Sequence, residues 1–247
     1  ARPAIMQRMN RPSSLWPIAL LVAATLSTAS GMGWLPGYWV FKPSAMLIAI
    51  VFVAATPYFT GANGRFRLML LGALVGSLAG DVFLMLSPNL FIPGLASFLV
   101  AHLFYIALFH QGQRWFPSKA ALAAVLAVGA GMYAIVWGGL ADPVLKGAVA
   151  AYVVVIALMA SQALGRAITL GTTAAWRVAL GACIFMVSDS TIAINKFVMP
   201  VPWSEFWILS TYYAAQLLIV FHVAAPDTRI AQAANANRTN PNASANT

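Results

Sequence analysis

Two carboxylates stand in this chain where carboxylates are costly to place. Of five acidic residues in 247, Asp81 and Asp189 lie within uninterrupted apolar runs. A charged side chain at bilayer depth costs roughly 2.5 to 3.5 kcal/mol on insertion scales, so an intramembrane ionisable residue is by default a candidate for function. Two carboxyl groups in different surroundings are suited to acid–base chemistry, one as acid and the other as base. The same groups would equally suit the binding and release of protons or a cationic solute. Other chemistries find no support. The single cysteine, Cys183, sits inside an apolar run, so neither a disulfide framework nor a cysteine-based metal signature can form. There is no Gly-x-Ser-x-Gly elbow for a serine lipase and no His/Glu cluster for zinc, so no metal or cofactor is expected.

The elements that must position these groups are long and apolar. The chain is 61% hydrophobic and 8% charged, with a mean hydropathy of +0.82, whereas a soluble globule carries about a quarter charged residues. About 20 apolar residues cross a bilayer. Eight runs satisfy that length, at 15–34, 43–60, 67–87, 91–110, 119–138, 144–163, 176–196 and 204–224. The expected fold is therefore all-α, a polytopic bundle of eight transmembrane helices over residues 1–225. A polar, Ala/Asn-rich, disordered tail is expected over 226–247. A net charge of +9 could point to nucleic acid, but its distribution does not. Eleven of the fourteen basic residues fall on the side of the two termini, and only Lys42, Lys146 and Lys196 on the other. Such asymmetry places the termini in the cytoplasm and the three lysines at the outer face of a bacterial inner membrane. No cleavable signal is expected ahead of the first run, because Arg2, Arg8 and Arg11 precede an apolar stretch that itself spans.

This topology brings polar residues of four spans to one depth in the outer half. They are Ser77 and Asp81; Ser97, His102 and Tyr105; Asp189; and Thr211, Tyr212, Tyr213 and Gln216. Residues four apart share a helix face, so Ser77 lies a turn from Asp81, and Tyr212 a turn from Gln216. An outward-opening pocket is the simplest arrangement. Gly72, Gly76 and Gly80 repeat at the spacing that lets a neighbouring helix approach closely. Lys196 lies two turns beyond Asp189 on one face, either above the aspartate or as an interface lysine reaching for water. Ser188 and Ser190 flank Asp189 on different faces, so one at most can serve the same site.

These residues also carry a resemblance. Lys42-Pro43, the run Gly80-Asp81-Val82-Phe83-Leu84-Met85, Phe98 with Ala101-His102-Leu103-Phe104-Tyr105, Ser188-Asp189-Ser190 with Ala193, and Thr211-Tyr212-Tyr213-Ala214-Ala215-Gln216 follow in order over 42–219. In this order and spacing the chain resembles the YhhN family, which includes the eukaryotic TMEM86 lysoplasmalogenases. The resemblance implies hydrolysis of the sn-1 vinyl-ether bond of a lysoplasmalogen, giving a fatty aldehyde and a glycerophospho-headgroup. Its partners would be a lysophospholipid, water and membrane lipids. Protonating the β-carbon of a vinyl ether gives an oxocarbenium-like cation that water captures, as in glycoside hydrolysis, where two carboxyl groups do the work. Neighbouring carboxylates tend to share a proton, so either Asp81 or Asp189 would be the acid, the other stabilising the cation and activating water. Tyr212, Tyr213 and Gln216 would bond the aspartates or the water, and His102 with Tyr105 a relay or headgroup. Lys42 and Lys196 would meet the lipid phosphate. The alternatives are a proton-coupled transporter, which would favour helix pairs broken by Pro or Gly that the sequence lacks, and a lipid-binding protein without turnover.

Overall fold

The computed structural model describes residues 15–56 and 64–223. Arg2, Arg8, Arg11 and the polar tail after Pro226 lie outside the described residues, as do Arg229 and Arg238. Among the described residues the chain is all-α, with eight α-helices and no strand. These are α1 Leu15–Gly31, α2 Tyr38–Ala55, α3 Arg65–Leu86, α4 Phe91–His110, α5 Lys119–Val136, α6 Pro143–Leu170, α7 Thr173–Phe197 and α8 Ser204–His222. Helices α2 to α7 are long and apolar enough to cross a membrane. Helix α1 is apolar but has 17 residues, and α8 has 19 with Glu205 in its first turn. Large apolar side chains such as Leu15, Val144 and Leu68 cover the outside. In water that surface would be costly, and in lipid it is matched. This is an integral, multi-pass membrane protein.

Local chemistry sets several helix ends. Ser118, Asp142 and Thr172 each accept a bond from the backbone N–H three residues on, at 3.2, 2.9 and 3.2 Å, satisfying a donor that the first turn leaves open. Helix α6 runs seven residues past the expected end at 163. Ser161, Gln162 and Arg166, the polar side chains of this last stretch, are buried against neighbouring segments. Gln162 accepts from Phe116 N at 2.7 Å and donates to Arg114 O at 3.1 Å, so it fastens the α4–α5 connection while the helix continues.

Neighbouring helices pack in the order α1, α2, α3, α4, α6, α7, α8, and α8 returns against α1. Seven helices thus form a closed ring, and α5 lies outside it against α6, with slight contact to α7. The ring interior holds Ser77, Asp81, His102, Tyr105, Tyr212, Tyr213 and Gln216 of the sequence pattern, whereas Ser97 and Thr211 are half-buried and donate to carbonyls of their own helices. On one flank α3 meets α4 through the glycine repeat. A Cβ at Gly72 would lie 2.8 Å from the Phe104 ring, one at Gly80 2.4 Å from the Phe98 ring, and one at Gly76 3.1 Å from the Ala101 backbone. The stripe therefore does what small residues do in membrane bundles, bringing two backbones together, and it fixes Phe98 against Gly80.

Gly80→Ala is expected to destabilise the bundle by about 1 to 3 kcal/mol, the usual penalty of overpacking. Gly131→Ala, with open space around it, should leave stability unchanged or raised. Thermal unfolding in detergent checks both; equal midpoints for the two variants would contradict this account of the α3–α4 contact.

Candidate functional site

The two aspartates are served by different partners. Asp81, buried on α3, accepts from Tyr212 OH of α8 at 2.7 Å and lies 4.0 Å from the Lys42 ammonium of α2. Lys42 donates to Tyr38 OH at 3.1 Å, and Tyr38 OH donates to Glu205 at 3.4 Å. Tyr213 donates to the Lys42 carbonyl at 3.3 Å and is bonded to Ser27 of α1 at 2.8 Å. One turn below, Tyr105 donates to Gln216 Oε1 at 2.6 Å, and the Gln216 amide donates to Ser77 at 3.4 Å. Side chains of α1, α2, α3 and α8 thus meet around Asp81, and the Tyr105–Gln216–Ser77 set, one turn from it, adds α4 to the same buried polar region.

Asp189 lies apart from that network. Its Oδ2 accepts from the phenol of Tyr152 on α6, and both residues line a cavity whose other walls are almost wholly apolar. The cavity itself is about 70 Å³, and about 690 Å³ when the gaps between side chains and the open mouth are counted. Leu84, Phe91, Leu95, Met132, Val153 and Phe197 are among its walls. Asp189, Ser190 and Tyr152 are its polar groups. Lys196 is exposed and sits at the rim, its ammonium 4.6 Å from the ring centre of Phe91 and 5.9 Å from that of Phe197.

An aromatic cluster stands between the two aspartates. Phe98, on the cavity wall, lies 6.1 Å from Tyr212 and 6.3 Å from Phe185, which is itself 5.4 Å from Tyr212. His102 fits edge-on at 4.8 Å from Phe185 and 5.4 Å from Tyr152. It is fully buried, and neither ring nitrogen has a hydrogen-bond partner among the described residues.

The expected residues do converge, but into two groups rather than one pocket. Ser77, Asp81, Tyr105, Tyr212, Tyr213 and Gln216 form the sealed network, while Asp189 and Ser190 face the cavity. Bulky rings fill the level at which a single pocket was expected. Ser188 donates to Ile208 O at 3.0 Å and so ties α7 to α8; as the spacing requires, only one of the flanking serines reaches the cavity. Lys42 is not at the outer surface: it is 7% exposed and turned inward, because the carboxylate of Asp81 attracts its ammonium more than the end of the bundle does. Lys196 is not stacked on Asp189 but rests on the aromatic rim. Phe98, which the family-like run carries with His102 and Tyr105, lines the cavity as well. Tyr152 escaped sequence reasoning, although a lone phenol inside the run Ala151–Leu158 is itself a signal.

Among the described residues no group of His, Cys, Asp and Glu could hold a metal. Lys42→Met is expected to lower stability by about 3 to 5 kcal/mol, since removing one partner of a buried ion pair strands the other. Denaturant unfolding of this variant, of Asp81→Asn and of the double variant provides the check: the double should lose less than the two singles combined.

The chain is similar to known proteins over its helical part. The YhhN family pattern matches residues 37–223, a stretch that contains every residue of the two groups except Ser27. The human protein named lysoplasmalogenase TMEM86B is 32% identical over 179 residues, 72% of this chain and 74% of that protein. The bovine lysoplasmalogenase TMEM86A is 39% identical over 156 residues, covering 59% of this chain and 61% of that protein. A Mycobacterium bovis protein named lysoplasmalogenase is 33% identical over 193 residues, covering 72% and 67%. No solved structure matches the chain. With the family pattern running unbroken from the start of α2 to the end of α8, across both aspartates and the tyrosines that hold them, this chain belongs to the YhhN family.

Proposed function

We propose that this chain is a membrane hydrolase that cleaves the sn-1 vinyl-ether bond of a lysoplasmalogen, and that Asp189 is the carboxyl group at the reacting atoms. The names of its relatives support the reaction class. The observation that carries the assignment is the cavity: an apolar space with one carboxyl group in its wall and one lysine at its rim. A lysoplasmalogen has the same order of parts, a phosphate, a short glycerol bridge with the vinyl ether at its end, and then a long hydrocarbon chain. Lys196 and Asp189 are seven residues apart on α7, about 10 Å at 1.5 Å per residue. A phosphate paired with Lys196 would leave the vinyl ether near Asp189 and the chain among the apolar walls.

The steps balance without a cofactor. Asp189 gives its proton to the β-carbon of the alkene, and the double-bond electrons form the new C–H bond. The α-carbon becomes an oxocarbenium-like cation. Water adds there and loses its proton to the Asp189 carboxylate, regenerating the acid. The hemiacetal then collapses to a fatty aldehyde and the glycerophospho-alcohol. Asp81, sealed behind the aromatic cluster beside Lys42, acts as a fixed charge near the cation, where low polarity strengthens electrostatics. Its network also holds α8 and Phe98 in place against the cavity wall. The wider reading is of eight spans, including α1 and α8, both termini in the cytoplasm and a bacterial inner membrane. It is supported by Arg65, Arg67, Arg114, Lys119 and Arg177 at one end of the bundle and Lys42, Lys146 and Lys196 at the other.

Aldehyde release from choline or ethanolamine lysoplasmalogen by purified protein in detergent tests the reaction. Asp189→Asn is expected to lose about 10²- to 10⁴-fold in kcat, the usual contribution of a general acid. A folded wild type that releases no aldehyde overturns the reaction, and an Asp189→Asn variant with wild-type turnover overturns the assignment. Lys196→Ala should raise KM about two- to fivefold with kcat retained, since an exposed charge pair contributes at most about 1 kcal/mol.

A further inference from the structure

We propose that Tyr152 is a positioning residue for Asp189, a neutral donor that holds one carboxylate oxygen so that the other faces the reacting bond. The inference rests on the reading of Asp189 given above. Val149, Tyr152, Val153 and Ile156 form one stripe of α6 along the cavity wall, and the phenol is the only polar group in it. That phenol donates to Asp189 Oδ2, which leaves Oδ1 for the substrate or water. The ring has a fixed seat: Tyr152 is 7% exposed, and His102 packs against it edge-on at 5.4 Å. Among the described residues neither ring nitrogen of His102 has a hydrogen-bond partner, so His102 packs against the ring without bonding its phenol.

The two aspartates therefore differ in a way that suits different tasks. Among the described residues Asp81 has a phenol and an ammonium, Asp189 a phenol and no cation. An ammonium beside Asp189 would oppose the cation that forms in the cavity, whereas a neutral donor does not. As Asp189 hands its proton to carbon, negative charge grows on its oxygens. A hydrogen bond to a charged acceptor is roughly twice as strong as one between neutral groups, so the Tyr152 bond tightens as the transition state forms. Interactions that strengthen in the transition state raise kcat rather than substrate affinity.

Tyr152→Phe keeps the ring and its packing and removes only the donor. Losing one such donor is expected to lower kcat by about 10²- to 10³-fold, with KM within twofold of wild type. A kcat within threefold of wild type overturns the proposal, as does a raised KM with kcat retained, which would make Tyr152 a wall residue only. If Tyr152→Phe does not fold, 3-fluorotyrosine at position 152 keeps the shape and changes donor strength. A kcat that then moves without KM supports the role, and unchanged kinetics overturn it. Failure of the lysoplasmalogenase reading is distinguishable, because wild type itself would then release no aldehyde. In that case the infrared carboxyl band that Asp189→Asn removes should still shift in Tyr152→Phe, and an unshifted band overturns the pairing.

Discussion

A carboxyl group inside an apolar bundle must be met by donors from other helices, and the arrangement of this protein follows from that constraint. Within a helix the backbone donors are already used, so Asp81 and Asp189 cannot be satisfied by their own segments. Asp81 draws in α2 through Lys42 and α8 through Tyr212, and α8 in turn binds α4 through Tyr105, α3 through Ser77 and α1 through Ser27. The closure of α8 on α1 is the same fact seen from outside.

The aromatic cluster converts one polar level into two environments. Phe98 takes part in both, since its ring belongs to the cavity wall and to the packing of Tyr212. Its position depends on Gly80 having no side chain. The residue immediately before Asp81 thus shapes the wall of the space that Asp189 faces, and close helix packing and site geometry are one feature here.

Much of this was legible in the sequence, for physical reasons that also mark its limits. Apolar length located all eight helices, because a lipid-facing segment has few ways to be polar. Spacing placed Ser77 with Asp81, Tyr212 with Gln216, and the glycines on a packing face. What spacing does not carry is the direction of a long side chain at a helix end. Lys42 and Lys196 both sit near the same end of the bundle, yet one turns inward to a carboxylate and the other outward onto aromatic rings. Nor does it show which apolar residues enclose space, since Leu, Val and Phe serve core, lipid face and cavity alike. Tyr152 went unnoticed because its significance lies in a residue 37 positions away on the next helix.

The closed ring also has a consequence for assembly. Helices leave the ribosome in chain order, and each aspartate has a partner on the helix synthesised just before it: Lys42 on α2 precedes Asp81 on α3, and Tyr152 on α6 precedes Asp189 on α7. Neither carboxyl group has to enter the bilayer before a group able to receive it. Tyr212 and Gln216 follow on α8, so that helix locks a network whose costliest members have already been accommodated.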